Sequence, residues 1–484
     1  MSQEATTVVI VGGGLSGALC GLKLNRARPD LRVVVVEPAA RTGLGLAYGA
    51  CRRRHLLNVP VSRMELGFEP TFADWLAARP GEIEAALQEA QGDLNSAFVP
   101  RALFGAYLHE RFEAARSHGP GPGLVVMRGK VAALVEGRGR GVKLEDGRVI
   151  HAAAVVLATG NLPPLPPGGR DAWFYDTPLF TPDPWAPGAL ADLEPDAPLL
   201  LIGAGLTMVD VALSLKDQGH RGPVLAVSRR GYVPQTHKSG GVWPAFLHEM
   251  IGAKPLAVFR RVRAEVRAAV AQDVPWQRVF DAARPAVAAV WDRWSNRQRR
   301  QFLRHLRARW DVHRHRLAPR VAAEIQALRD DGRLRIEAGR LSGFSLTGDG
   351  RVDVALTLRG GQKHSFNAAR VINCTGPAGD LNRLVLPFID ELKVRGWAVP
   401  DPLGLGLETD DCALLQADGL PSDWLYALGP VTRPAWWEIT ATPEIAVQVD
   451  RLVARLADME LAPPARKAGP PLTALAFADL GAGI

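Results

Sequence analysis

Val8 to Val11 is an apolar, β-rich run that breaks at Gly12. Leu15 to Leu24 then carries helical periodicity, and a second apolar run, Leu31 to Val36, ends at Glu37. Strand, glycine turn, helix and strand in about thirty residues predict a parallel βαβ unit. A polar, loop-rich stretch from Arg41 to Pro70 follows. The spacing then predicts helices over Thr71 to Ala78, Ile83 to Glu89 and Pro100 to Ala115. Leu124 to Leu144 predicts antiparallel strands, and Val155 to Ala158 a buried strand closing on Thr159 and Gly160. The proline-rich Leu162 to Pro167 reads as a crossing between domains.

The pattern then repeats. Pro198 to Ile202 is an apolar strand running into Gly203, Leu206 to Lys216 is helical, and Val224 to Ser228 is a strand ending at Arg229 and Arg230. The two units start about 190 residues apart. Trp243 to Leu328 is helical by composition, and strands return over Arg335 to Leu358 and Val371 to Asn373. The expected fold is α/β, with two Rossmann-like dinucleotide-binding domains and a helical insertion. The first domain spans 1–165 and is completed by 371–460. The second spans 195–370, with the insertion at 243–328, and 461–484 is a Pro/Ala/Gly-rich tail.

Composition agrees with this division. A chain of 484 residues is long enough for two or three domains. With 47% apolar and 22% charged residues it reads as a soluble globular protein. The formal charge of +8 would suit anionic partners, and the excess is dense between Arg260 and Arg320. No nucleic-acid module accompanies it, so cofactor phosphates are the expected anions. The four cysteines include no CxxC pair and no metal-ligand spacing. That fits a reducing cytoplasm and argues against a dithiol reductase and against a metal site. Neither a signal peptide nor a membrane-spanning run is visible.

Gly12-Gly13-Gly14-Leu15-Ser16-Gly17 carries the first chemistry. Gly12 permits the tight turn, Gly14 admits a pyrophosphate, and Gly17 lets the helix approach the strand. The helix start, at Leu15 and Ser16, offers free N–H groups to phosphate. Glu37 is placed to accept hydrogen bonds from a ribose, and it would repel a 2′-phosphate. This predicts FAD or NAD. Thr159 and Gly160 at the end of their strand resemble a second flavoprotein signature, which favours FAD, and Thr375 and Gly376 look like its repeat at the return to the first domain.

Gly203-Ala204-Gly205-Leu206-Thr207-Met208 is the second fingerprint. Met208 replaces the third glycine, which predicts looser packing of helix on strand or a different approach of the phosphate. Ser228, Arg229 and Arg230 stand where Glu37 stands in the first unit. A hydroxyl and two guanidiniums can clasp a 2′-phosphate, so NADPH is expected here, with NADH as the lesser alternative.

Further segments carry a family resemblance. They are Gly43 to Tyr48 (GLGLAY), His55 to Pro60 (HLLNVP) with Arg63 and Met64, and Phe98 to Arg101 (FVPR). They continue as Gly203 to Asp210, Ser228 to Gly231, Trp310 to Arg316 (WDVHRHR), Asn373 to Pro377 and Trp437 to Ile445. The chain resembles the bacterial FAD/NAD(P)-binding proteins related to flavin-dependent monooxygenases and N-hydroxylases, which include an FAD-dependent urate hydroxylase. The resemblance implies that Asn58 to Met64 borders the flavin ring and that Gly429 to Thr440 covers its other end. It adds Tyr48, Asn58, Val59, Met64, Arg101, Gly429 and Thr440 to the cofactor set. A helix over Glu438 to Val447 would aim N–H groups at the flavin.

In such enzymes the cofactor performs the difficult chemistry. The candidate catalytic residues are Asn58, for a hydrogen bond to NADP+ or the oxygen-loaded flavin, and Trp437 and Glu438 at the ring. His313 and His315, with Arg314 and Arg316, would receive an anionic substrate or form a solvated basic face, and the solvated face is the expectation. The leading reading is an NAD(P)H-dependent flavin monooxygenase acting on a small molecule with O2. Its rivals are a reductase or oxidase that inserts no oxygen, and a flavin-bearing redox sensor or partner-binding protein that docks through the basic helical insertion. Substrate and oligomeric state stay open.

Overall fold

The structure, a computed structural model, describes residues 5–118, 122–136, 139–168 and 171–461. The expected tail therefore lies, from residue 462 on, outside the described residues. The strands are β1 Thr7–Val11, β2 Arg32–Glu37, β3 Leu124–Arg128, β4 Val131–Val135, β5 Gly141–Leu144, β6 Val149–His151, β7 Ala154–Leu157, β8 Phe180–Thr181 and β9 Leu199–Ile202. They continue as β10 Val224–Ser228, β11 Leu334–Leu346, β12 Val352–Leu358, β13 Lys363–Ala368, β14 Arg370–Asn373, β15 Thr409–Asp410, β16 Ala413–Leu415 and β17 Pro421–Ala427.

The first sheet has the order β15-β16-β17-β7-β1-β2-β3. Its centre is parallel, with β1 between β2 and β7. Strands buried on both faces read as unbroken apolar runs, which is why Val8 to Val11 and Val33 to Val36 lack alternation. One face carries the helices Leu15–Ala27, Arg101–His118 and Thr442–Asp458. The other carries the small antiparallel sheet β4-β5-β6 and the helix Pro387–Val394. The expected antiparallel set from Leu124 to Leu144 is thus divided. β3 pairs parallel with β2, and only β4 onward is antiparallel.

The second sheet has the order β13-β12-β11-β10-β9-β14-β8. Two expected boundaries shift. β14 pairs with β9, so the return to the first domain starts after Asn373 rather than at residue 371. The short β8 also belongs to this sheet, ahead of the expected start at 195. The helix Pro319–Asp330 buries Val321, Ile325 and Leu328 against Leu201 and Met208. It is the crossover helix before β11, so the insertion ends before it and not at 328. The remaining insertion helices form their own aromatic core, which Leu405 and Trp437 of the first domain complete.

Candidate functional site

The two glycine turns are built alike. Gly12 N donates to Val36 O at 2.9 Å, and Gly203 N donates to Val227 O at 2.8 Å. Gly12 has φ +102° and Gly203 φ +118°, a left-handed backbone that favours glycine. A Cβ on Gly12 would lie 2.4 Å from Ala158 O, and one on Gly203 would lie 2.4 Å from Cys374 O. Each turn therefore abuts the end of a strand that closes on Thr-Gly. This corrects one expectation: Thr375 and Gly376 do not mark the return to the flavin domain. They stand in the second unit where Thr159 and Gly160 stand in the first.

The units differ where ligand choice is made. The Glu37 carboxylate accepts from Gly13 N at 2.7 Å and from Ala39 N at 2.8 Å, which fixes it beside the first turn. The Ser228 hydroxyl accepts from Gly231 N at 3.0 Å. Arg229 is exposed, and Arg230 Nη2 donates to Arg304 O at 3.2 Å. The first turn is also roofed. Gly43 N donates to Gly13 O at 2.7 Å, and a Cβ on Gly14 would come 3.4 Å from Gly45 Cα. Around Gly205 an added Cβ meets nothing within 4 Å, and Met208 is fully buried behind it. Leu206 and Thr207 open that helix.

A cavity of about 830 Å³ opens beside the first turn. Glu37, Arg41, Gly45, Arg52, Trp185 and Ser214 are among the residues that line it. The Thr159 hydroxyl, next to Gly12, is buried without a hydrogen-bond partner. Gly429, with φ +76°, brings its turn against the start of the first helix, where a Cβ would meet Ser16 Oγ at 2.6 Å. A glycine-walled turn, a fixed carboxylate, an unsatisfied hydroxyl and an adjoining cavity fit the phosphate and ribose of a dinucleotide.

Other expected residues serve the framework. Tyr48 OH shares a hydrogen bond with Thr442 Oγ1 at 2.9 Å inside the core, and Met64 is fully buried there beside Val59. Asn58 contributes its backbone carbonyl, which accepts from His237 Nε2 at 2.8 Å. Arg101 spans to Asp210 of the second unit. Thr440 is exposed, and its N–H donates to Glu438 O at 2.7 Å.

The helix expected from Glu438 begins instead at Thr442, so Glu438 lies in the turn before it. Its carboxylate is buried, 2.8 Å from Arg314 Nε, and accepts from Trp310 Nε1 at 2.7 Å. Burial would raise its pKa, but Arg314, His315 and Trp310 together hold it below the usual range. Trp437 is stacked on Trp291 at 4.6 Å in the insertion core. Nor are Arg314 and Arg316 on a solvated face. Both are buried, Arg314 facing Glu438 and Glu444 and Arg316 facing Asp281.

Three residues were assigned no role from the sequence, and Gln448 carried no local signal at all. Gln448 is fully buried, accepting from Gly429 N at 2.8 Å and donating to Thr432 Oγ1 at 2.7 Å. His55 Nε2 lies 3.0 Å from both Asp210 O and Ser214 Oγ. His55 and Asp210 did stand in segments that carry the family resemblance, and Asp210 is an acid among the apolar positions of its helix. Among the described residues no helix is long and apolar enough to cross a membrane, and no group of side chains forms a metal site.

Residues 9–162 match the model of an FAD-NAD(P)-binding family. No curated protein sequence matches the chain. Among solved structures it is similar to the ornithine N-hydroxylase of Kutzneria sp. 744, at 16% identity and a TM-score of 0.62, over 94% of this chain and 99% of that one. It is similar to L-lysine 6-monooxygenase from Pseudomonas syringae, at 17% identity and a TM-score of 0.62, over 93% and 99%. It is similar too to the bacillithiol disulfide reductase of Bacillus cereus, at 14% identity and a TM-score of 0.53, over 94% and 99%. The chain has the two-unit dinucleotide-binding fold of these proteins throughout, and its first unit matches an FAD-NAD(P)-binding family model.

Proposed function

We propose that the protein is an FAD-dependent, NADPH-using monooxygenase that hydroxylates a small molecule. One observation carries the reading. Two turns of the same geometry end in opposite electrostatics, Glu37 in one and Ser228, Arg229 and Arg230 in the other. The first suits the free ribose of FAD, and the second a 2′-phosphate. FAD held at the first turn would supply the redox and oxygen chemistry, which no side chain provides.

The chain's own residues bind and orient. The N–H groups at Leu15 and Ser16 would face the pyrophosphate, with Thr159 beside it. Arg41 lines the same cavity and adds positive charge. The Gly429 turn, held by Gln448, closes the site over Ser16. The likeness to N-hydroxylating enzymes supports oxygen insertion. The likeness to a disulfide reductase does not extend to this chain's thiols. Its four cysteines are free and unpaired, and they suit a cytoplasmic protein.

The test uses the purified holoprotein. Flavin absorbance near about 450 nm is followed anaerobically with NADPH and then with NADH. NADPH should bleach it faster. Oxygen is then admitted, and released peroxide is compared with consumed NADPH. Peroxide falling below NADPH consumed as candidate substrates are added supports hydroxylation. Peroxide equal to NADPH with every substrate favours an oxidase, and no bleaching by either nucleotide leaves only a redox sensor.

A further inference from the structure

The helical insertion encloses a second cavity, of about 490 Å³, distinct from the one beside Glu37. Its walls are aromatic: Trp276, Trp291, Trp294, Trp310 and Trp437 all line it. Trp310 and Phe280 pack at 5.2 Å, and His313 stacks on Phe280 at 5.4 Å with 14° between the planes. Flat walls of this kind favour a flat apolar guest.

The charged lining has one sign. Arg263, Arg267, Arg309 and His313 are its ionisable residues, and no carboxylate is among the lining. Arg263 and Arg267 are exposed on one face of the helix Pro255–Val270. Neither forms an ion pair among the described residues. Two guanidiniums beside an apolar cavity, with no carboxylate to answer them, are a receptor for an anionic head. Burial would raise the Tyr232 hydroxyl, but Arg309 and Arg230 together hold it below its usual range, so this basic strip continues to the strand end expected to hold the nucleotide phosphate.

We infer that this cavity binds an aromatic carboxylate, with the ring system among the tryptophans and the carboxylate on Arg263 and Arg267. On the function proposed above, which this assignment rests on for its role, the ligand is the substrate. Trp437 belongs to both the cavity wall and the segment that follows the Gly429 turn, so the two sites share one piece of chain.

Calorimetric titration of the holoprotein with 2-naphthoate and with the uncharged 2-naphthamide tests this. The naphthoate should bind at least about tenfold more tightly. Arg263→Gln with Arg267→Gln should abolish that preference, and Val266→Trp, filling the cavity from its wall, should abolish binding of both. Unfolding temperature and flavin content are measured for each variant. Because Arg263 and Arg267 are exposed and make no ion pairs, their double variant should fold. No heat with either compound, equal affinity for both, or a preference that survives in the double variant overturns the assignment. Bleaching by NADPH is followed on the same samples. Naphthoate binding without bleaching upholds the cavity and removes the monooxygenase, and bleaching without binding does the reverse.

Discussion

Arg101 donates to both carboxylate oxygens of Asp210, from Nη1 at 2.9 Å and from Nη2 at 3.1 Å, across the junction of the two dinucleotide-binding units. Its Nε donates to Leu56 O at 3.1 Å. Both side chains are largely withdrawn from water, at 15% and 9% exposure. Removing one member strands the other's charge, so Arg101→Met should cost about 3–5 kcal/mol. In urea unfolding, Arg101→Met combined with Asp210→Leu should cost less than the two single changes summed. Strict additivity would show that the pair does not couple the units.

The same junction should respond to acid. Burial, aided by Arg316, pushes His237 from 6.5 down to about 4, although Asn58 O and Asp281 favour its charged form. Burial lowers His55 as well, against the pull of Asp210. Below the ordinary value near 6.5 the unfolded chain takes up protons that folded His237 refuses until about 4. Stability should therefore fall between these pH values and lose this dependence below them. His237→Gln should flatten that part of a plot of Tm against pH. A variant profile parallel to the parent's throughout would remove His237 as the cause.

Nucleotide choice should reside at the end of β10. Arg229→Ala with Arg230→Ala should raise KM for NADPH by about ten- to a hundredfold and leave KM for NADH nearly unchanged. Arg230 also caps Arg304 O, so an unfolding curve must accompany the kinetics. Equal losses with both nucleotides would mean that the arginines do not read a 2′-phosphate.

The two turns should fail differently. Alanine at Gly12 would place a Cβ 2.4 Å from a fixed carbonyl, whereas at Gly205 it meets nothing within 4 Å. Gly12→Ala protein should purify with little flavin. Gly205→Ala should retain flavin and change only KM for NADPH. Full flavin occupancy in Gly12→Ala would contradict the placement of FAD at the first turn.

Glu438 offers a test of role. Its buried carboxylate neutralises Arg314, so Glu438→Gln should destabilise the fold by about 3–5 kcal/mol. The rate of flavin reduction by NADPH, per bound flavin, should stay within about twofold of the parent. A large loss of rate with unchanged stability would return Glu438 to the catalytic set.

Much of this molecule is legible in one dimension. The runs Val8 to Val11 and Pro198 to Ile202, each broken by glycine and followed by helical spacing and a second apolar run, determined both βαβ units and their order. The reason is local: strand burial, turn conformation and helix periodicity act over a few neighbouring residues. Glu37 against Ser228, Arg229 and Arg230 was legible for the same reason, because each ends the strand beside its own turn. Tertiary structure decided what depends on distant partners. Thr375 and Gly376 were assigned to a sheet by the pairing of β14 with β9, which no local pattern contains. Arg101 was expected at the cofactor, Glu438 at the flavin ring and Arg314 on a solvated face, and only the packing of separate segments supplied Asp210, Trp310 and Glu444 as their partners. A charge's role is set by its burial and its counter-charge, and both are properties of the folded chain.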